Sequence, residues 1–278
     1  MTINSKKVKP SVFAKAFTFS SALTIFFSIL LTFSSCKKEE EEEIIVPVAE
    51  FARVQVIHNS ADLAANTVDV YLNDVLLIDN FEFRTSSPFI DAPANEEIKI
   101  SIAGSNSTSS GQAIADFYYT LGANETYVLI AEGIVSTSGY SPATAFSIEV
   151  YAMGQETANN SANTDLLIHH GATDAPTVDV VEVGVGAGTI VDNASYGDFT
   201  AYLELPTNDY TLDITDETGQ VTVVSYSAPL QTLGLNGAAA VVVASGFLNP
   251  SNNSNGPAFG LYVALPSGGE LVGLPAAK

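Results

Sequence analysis

The sequence predicts an all-β protein made of two tandem antiparallel β-sandwich domains. Three observations support this fold class. Val, Ile, Thr, Tyr and Phe are plentiful, Trp is absent, and Gly, Asn, Ser and Pro separate short apolar segments. Several segments alternate apolar and polar residues, as strands with one buried face do. The chain also repeats itself over about a hundred residues, the usual size of a domain.

The repeat consists of short segments that recur in the same order at nearly constant spacing. The first contains His58 and Asp62 in one copy and His170 and Asp174 in the other. The remaining pairs are 68–70 with 178–180, 78–80 with 191–193, 129–133 with 242–246, and 146–150 with 259–263. The unit is too long for a solenoid repeat, so each copy is predicted to be its own domain, residues 51–154 and 164–278. The polar segment 155–163 is predicted to link them.

The pattern of apolar residues predicts seven or eight short strands per copy and no helix after the N-terminal segment. Three segments place alternate apolar residues on one face of a predicted strand. These residues are Val68, Val70 and Leu72; Ile98, Ile100 and Ile102; and Tyr210, Leu212 and Ile214. Residues 213–224 are predicted to form a hairpin. The apolar runs 128–131 and 239–244 are predicted to be strands that are buried on both faces.

Residues 1–35 have the composition of an export signal. Four lysines lie in the first fifteen residues, no charged residue follows until after Cys36, and Ser34 and Ser35 end the segment. A transmembrane anchor is the alternative, because the uncharged run is long enough to span a bilayer. Many of its residues are Ser, Thr or Ala and only its centre is strongly apolar, which favours export.

Phe33-Ser-Ser-Cys36 resembles the lipobox of bacterial lipoproteins. The resemblance implies cleavage before Cys36, acylation of its thiol with a diacylglycerol, and attachment to the outer membrane. Phe33 stands where the commonest pattern has Leu. Two or more acyl chains hold a protein firmly, whereas one gives marginal binding. Cys36 is the only cysteine in the chain, so it cannot form an intramolecular disulfide, and a stray free thiol is the alternative.

Residues 36–50 are predicted to be a solvated tether, because five consecutive glutamates begin at Glu39. An acid-rich segment after the lipidated Cys resembles the surface-export signal of lipoproteins in some Gram-negative bacteria. This implies an external location in the envelope. The alternative is a simple spacer.

The charge of the chain argues against a nucleic-acid partner. The formal net charge is -21, and after residue 43 the basic residues are Arg53, Arg84, Lys99 and Lys278. A region this acidic repels a phosphate backbone.

The pattern V-x-H-x-S-x-D followed by V-D-V-Y resembles the bacterial domain-of-unknown-function family numbered 4397. In the first copy it comprises His58, Ser60, Asp62, Asp69 and Tyr71, with Arg53 upstream. The second copy keeps His170, Asp174 and Asp179 but has Ala172 and Val181 in place of the Ser and the Tyr. The resemblance implies immunoglobulin-like or transthyretin-like sandwiches, often duplicated and often carried on lipoproteins. It implies no catalytic set and no cofactor.

Two interpretations of the histidine segment remain open. His58, Ser60 and Asp62 are the residue types of a catalytic triad. However, the second copy lacks the Ser, and the chain has no G-x-S-x-G segment. The structural interpretation, which we favour, is that the imidazole and the loop after it bind local backbone and fix the turn. No metal is expected, because neighbouring His169 and His170 point to opposite faces of a strand and zinc needs three or four converging ligands.

Two further segments imitate ligand-binding loops. Residues 184–188 are glycine-rich like a phosphate loop, but neither a helix nor a Lys follows them, so a flexible hairpin is predicted. Residues 213–219 carry acids that could attract Ca²⁺, but they lack the full ligand spacing, so a solvated turn is favoured.

The function expected from these observations is a non-catalytic envelope lipoprotein with a recognition or structural surface. Its candidate contacts with a protein or glycan are the polar loops 104–111 and 249–257 and Tyr118, Tyr119, Tyr140 and Tyr202. An envelope hydrolase acting on glycan or peptide is one alternative. A calcium-stabilised adhesin module is another.

Overall fold

The computed structural model describes residues 49–277, which form β-strands joined by turns and loops. The first copy contributes β1 Phe51–His58, β2 Thr67–Leu72, β3 Val75–Glu82, β4 Thr85–Ser86, β5 Ile90–Pro93, β6 Glu97–Gly104, β7 Ala113–Thr120, β8 Thr126–Glu132 and β9 Ser147–Ala152. The second contributes β10 Asn163–His170, β11 Val178–Glu182, β12 Gly188–Ala194, β13 Leu203–Pro206, β14 Asp209–Asp216, β15 Thr222–Pro229, β16 Ala239–Ser245, β17 Gly260–Ala264, β18 Gly269–Glu270 and β19 Val272–Gly273. The helices in this range are single 3-10 turns, Leu63–Ala65, Ser110–Gln112 and Pro250–Asn252. None of the helices in residues 49–277 is long and apolar enough to cross a bilayer.

Each copy is a sandwich of two sheets, which confirms the predicted fold class. The outer sheet has the order β3-β2-β6-β7 in the first copy and β12-β11-β14-β15 in the second. The sheet that packs on it, which we call the inner sheet, has the order β4-β1-β8-β9 in the first copy, with β5 also beside β1. In the second copy the inner sheet has the order β13-β10-β16-β17-β19. The short strand β18 crosses over and pairs with β4 of the first copy.

Most pairs are antiparallel, but each copy contains one parallel pair that the sequence did not reveal. β1 runs parallel to β8, with Val56 opposite Leu129, and β10 runs parallel to β16, with Ile168 opposite Val242. Parallel neighbours need a crossover connection. In the first copy the outer sheet forms most of that connection, and this ties the two layers of that sandwich together.

The alternating residues fill the interior of each sandwich as predicted. Val68, Val70, Ile98, Ile100 and Ile102 belong to the core of the first copy. Tyr210, Leu212 and Ile214 belong to the core of the second. The hairpin predicted over residues 213–224 is also confirmed, since β14 and β15 are paired neighbours.

The two runs predicted to be buried on both faces are β8 and β16, and the prediction is confirmed. One face of each strand lies in the core of its own sandwich. The other face lies in a third apolar cluster that contains residues of both copies, among them Ile57, Val128, Ile130, Leu167, Val241 and Val243. The inner sheets of the two copies therefore pack against each other. We call this contact the middle layer.

The segment predicted as a linker, residues 155–163, is bound to both copies. Gln155 donates its backbone N–H to the Tyr202 hydroxyl at 3.0 Å, and Glu156 forms an ion pair with Arg53 at 2.7 Å. The domain boundaries stay a prediction. The signal 1–35, Cys36 and most of the tether 36–50 lie outside the described residues.

Candidate functional site

The repeated histidine segment of the first copy is enclosed and bound to main chain. His58 ends β1 and is fully buried, and its Nε2 lies 2.7 Å from the carbonyl oxygen of Ala65. The Ser60 hydroxyl donates to the Gly133 carbonyl at 2.7 Å, and the Ser60 N–H lies 3.4 Å from His58 Nδ1. The serine hydroxyl is therefore committed to a carbonyl, and the hydrogen bonds of this segment are those of a turn and lack the Ser–His contact of a triad. Burial lowers the pKa of His58 to about 4, so the ring is neutral at pH 7.

Asp62 connects this segment to a distant loop. Its carboxylate accepts hydrogen bonds from the backbone of Ala64 at 2.9 Å, Val135 at 2.9 Å and Ser136 at 2.6 Å, and from the Ser136 hydroxyl at 2.8 Å. Burial acts to raise the pKa of Asp62, but these donors outweigh it and lower the pKa below its usual value. The ionised carboxylate thus fixes the loop that follows β8.

The second copy repeats this arrangement with different partners. His170 Nε2 lies 3.1 Å from the carbonyl oxygen of Pro176. Asp174 accepts from the backbone of Leu248 at 2.7 Å and Asn249 at 2.8 Å, and from the Asn253 amide at 2.9 Å. Leu248 and Asn249 follow β16 as Val135 and Ser136 follow β8, so the two aspartates have the same role.

The second repeated aspartate shapes the edge of the outer sheet. Asp69 accepts a hydrogen bond from the Asn80 N–H at 3.0 Å, and Asp179 accepts one from the Asn193 N–H at 2.7 Å. Both asparagines have positive φ, 52° and 54°. Each lies where the register of the edge strand shifts against its neighbour, which defines a β-bulge.

The middle layer contains a buried polar cluster that was not predicted from the sequence. His169 Nε2 lies 2.7 Å from Glu132 Oε2, and both side chains are completely buried. The Asn59 amide lies beside them and contacts the carbonyls of Gly171 and Ala244 at 3.3 Å. The neighbouring carboxylate of Glu132 adds to burial in raising the pKa of the Tyr196 hydroxyl. One signal was present in the sequence, since Glu132 ends an otherwise apolar strand and His169 replaces the Ile57 of the first copy.

Arg84 joins the two copies at a second point. Its Nε donates to the Ser245 hydroxyl at 3.0 Å, and its Nη2 donates to the carbonyls of Ser245 at 3.1 Å and Ala258 at 2.8 Å. The guanidinium stacks on the Tyr262 ring, 3.8 Å from its centroid. Gly246 makes this approach possible, since a Cβ there would lie 2.6 Å from Nη2 of Arg84. The φ of Gly246 is 85°, and that of Gly133, the equivalent glycine of the first copy, is 83°.

The glycine-rich loop 184–188 wraps the carboxylate of Glu182. The backbone N–H groups of Gly184, Val185, Gly186 and Ala187 all donate to it at 2.7 to 3.1 Å. Burial acts to raise the pKa of Glu182, but the backbone donors outweigh it and lower the pKa. The sequence predicted a flexible hairpin, and the structure shows that the amides of this hairpin bind the chain's own side chain.

The acidic turn of residues 213–219 is also engaged internally. Asp216 accepts hydrogen bonds from the Thr218 hydroxyl at 2.8 Å and from the Gln220 N–H at 3.1 Å. Asp213 accepts one from the Ser225 hydroxyl. Within residues 49–277, no three His, Cys, Asp or Glu side chains converge so as to hold a metal ion.

The tyrosines predicted as contact residues differ in their exposure. Tyr118 is 57% exposed on the outer sheet. Tyr119, Tyr140 and Tyr202 are half-buried, and their hydroxyls bind Ile148, Leu63 and Gln155 respectively. Of the four, Tyr118 is the most exposed.

The two polar loops predicted as recognition segments are attached to the body of the protein. In loop 104–111, the Ser107 hydroxyl bonds to Asp69 and to the Tyr71 hydroxyl, so the loop covers part of the outer sheet. In loop 249–257, the buried Asn253 holds Asp174. Both loops are fixed surface features.

A groove of about 260 Å³ opens beside β12 in the second copy. Its apolar lining comes from Ile168, Ile190 and Phe199, and its polar lining includes Asp192 and Asp198. The volume is slightly below the usual range for small-molecule sites.

The paired sheets and the repeated His and Asp segments define a tandem β-sandwich protein built by duplication. The chain belongs to the family described as "Domain of unknown function (DUF4397)", which matches it twice, over residues 52–181 and 164–253. The resemblance seen in the sequence is thereby confirmed.

Comparison with curated proteins found no match. Among solved structures, similarity was found to a chain from the work "Alpha-glucan recognition by family 41 carbohydrate-binding modules from streptococcal virulence factors". The identity is 11%, and the match covers 69% of this chain and 93% of that chain, with a TM-score of 0.23. A similarity this weak carries no argument about this chain.

Proposed function

We propose that this protein is a non-catalytic lipoprotein of the bacterial outer membrane, anchored by acyl chains on Cys36. Its two joined sandwiches present a surface that recognises a protein or glycan outside the cell. The acidic tether after Cys36 keeps this body away from the membrane, because like charges stay solvated and extended.

One observation supports the non-catalytic part above the others. The chain has three histidines, and none is more than 4% exposed. Each imidazole is bound to a backbone carbonyl or to buried Glu132. A general base must come within hydrogen-bond reach of its substrate. The repeated motif is therefore explained by the turns and bulges that it fixes in both copies.

The anchor is tested by comparing the full-length protein with Cys36→Ala in a Gram-negative host supplied with a labelled fatty acid. We expect the parent protein to carry the label and to sediment with the outer membrane. Cys36→Ala should lose both properties, while the neighbouring variant Lys38→Ala should keep them. A Cys36→Ala variant that remains on the membrane would contradict the anchor.

The non-catalytic part is tested by incubating the purified full-length chain with peptidoglycan fragments, neutral and acidic glycans, and peptides. We expect binding without product formation. Turnover that is lost in a single Asp→Asn or Glu→Gln variant, or in His58→Gln, while the variant keeps the melting temperature of the parent, would overturn this part.

A further inference from the structure

The edge strand β3 exposes three consecutive large apolar side chains. Val75 is 70% exposed, Leu76 46% and Leu77 39%. Within residues 49–277, β3 pairs with β2 on one side and with no strand on the other. Its outer backbone groups therefore face solvent next to apolar side chains. An edge of this kind is a template for another strand, and natural proteins usually protect such edges with charge, proline or bulges. The charged residues and the two register shifts of β3 lie after Leu76, so Val75 and Leu76 have none of these protections.

The second copy shows that the fold does not require an apolar edge. The repeated Asp-Asn pair aligns the edge strands, so that Val75, Leu76 and Leu77 correspond to Gly188, Thr189 and Ile190 of β12. Positions 75 and 76 thus carry Val and Leu in one copy and Gly and Thr in the other. The two strands pair with equivalent neighbours, β3 with β2 and β12 with β11, and both pairs have the equivalent register shifts. At these two positions the apolar side chains belong to the first copy alone, so the fold does not require them there.

Both ends of β3 are fixed. It begins after Asn73 and Asp74, whose φ values are 47° and 68°, as in the two-residue turns that favour a hairpin. Lys99 binds the side chain of Asp74, and the Lys99 N–H donates to Asn73 Oδ1 at 2.8 Å. At the other end, Asp69 holds the bulge at Asn80. A strand ordered before binding loses little conformational entropy when a partner adds to it.

The charge around β3 indicates the chemistry of its partner. Asp79 and Glu82 lie on the strand and are exposed, and neither forms an ion pair within residues 49–277. The whole chain carries a formal net charge of -21, so a second copy of it would be repelled. A segment with basic residues would be attracted.

We infer that β3 binds an extended, apolar and basic polypeptide segment of another protein by strand addition. Backbone hydrogen bonds along β3 would supply affinity. Val75 would contact the apolar side chains on one face of the segment, and Leu76, on the opposite face of β3, would contact the aliphatic stems of its basic residues. This inference rests on the proposed function, because it names the class of partner that the displayed body recognises.

The probe is a labelled peptide of about ten residues in which Val and Lys alternate, a length that covers one typical strand. Two control peptides have Glu in place of Lys, or Pro at alternate Val positions, since Pro cannot donate to the ladder. Binding to the full-length chain in detergent is measured by fluorescence anisotropy. Hydrogen exchange of residues 75–82 is followed with and without the peptide.

The main variant, Val75→Gly with Leu76→Thr, gives β3 the residues found in β12. Val223→Thr is the matched control, because Val223 is 53% exposed on β15, an edge strand of the second copy's outer sheet. We expect the Val-Lys peptide to bind the parent and Val223→Thr alike, to bind the double variant at least about tenfold more weakly, and to protect the amides of β3. Leu76→Lys is a second variant. The new positive charge should repel the basic residues of the peptide and so abolish binding.

Equal binding to the double variant, equal binding of the Pro peptide, or unchanged exchange in residues 75–82 would overturn the inference. Concentration-dependent dimerisation that the double variant abolishes would also overturn it, because the occupant would then be a second copy. Acylation of Cys36 is measured independently of the peptide. If acylation holds and peptide binding fails, the inference falls while the proposed function stands.

Discussion

The middle layer makes a prediction about how the two copies depend on each other. Leu167 belongs to the second copy and is completely buried in the cluster that both copies share. Leu167→Ala removes roughly three carbon groups, each contributing about 0.8 kcal/mol. With the cavity left behind, the free energy of unfolding should fall by about 3 kcal/mol.

The assay combines urea unfolding of the full-length chain with hydrogen exchange read strand by strand. Because Leu167 faces the first copy, Leu167→Ala should speed exchange in β1 and β8 as well as in β10. Leu212→Ala is the matched control, since Leu212 is also buried, at 4% exposure, but lies in the sandwich core of the second copy. It should act mainly on the second copy. Unchanged exchange in β1 and β8 after Leu167→Ala would refute the reasoning, because the copies would then be independent domains.

Three further predictions concern the repeated residues and the glycine loop. The folded-state pKa of His58 is about 4 and its ordinary value is 6.5, so the unfolded chain binds more protons between these values. The contribution of neutral His58 to the free energy of unfolding is present above pH 6.5 and is lost as the pH falls towards 4, amounting to about 3 kcal/mol. Urea unfolding of the parent at several pH values should show this loss, and His58→Gln should show a smaller one. Asp62→Ala leaves the loop donors of Val135 and Ser136 without their acceptor, and the melting temperature should drop by an amount equivalent to about 2 kcal/mol, whereas an unchanged value would contradict the role of Asp62. Glu182→Gln weakens the acceptor of four backbone amides and should speed their exchange in residues 184–187, and unchanged exchange there would show that the carboxylate does not hold the loop.

The all-β fold and its duplication were predictable because they depend on local patterns. Alternation in segments such as Ile98 to Ile102 shows which face of a strand is buried. The recurrence of His58 and Asp62 as His170 and Asp174 shows the duplication directly. These signals lie within a few residues of each other and need no knowledge of distant contacts.

The partners of the buried strands were not predictable in the same way. The sequence showed that β8 and β16 are buried on both faces, but periodicity carries no information on which element covers the second face. The contact between Glu132 and His169 joins residues 37 positions apart that belong to different copies. Pairing of this kind depends on how the two copies dock.

The candidate sites likewise differ in whether a local sequence signal predicts them. The turn-forming role of His58 and Asp62 was the interpretation favoured from residue types, and the structure supplies the carbonyl and amide partners. The Glu182 contact had a local signal, because Glu182 stands two residues before the glycine-rich loop, yet the loop's amides could not be placed without its backbone conformation. The apolar edge of β3 required the exposure of each side chain.

The central claim is that an acylated Cys36 displays this two-copy body outside the cell with β3 open. It is tested by Leu76→Cys on intact cells, using a maleimide reagent too large to cross the outer membrane. Cys36 is the only native cysteine, and acylation would block its thiol. We predict that Leu76→Cys is labelled on intact cells and that the parent protein is unlabelled even after lysis. Labelling of the parent protein, or labelling of Leu76→Cys only after the outer membrane is opened, would contradict the account.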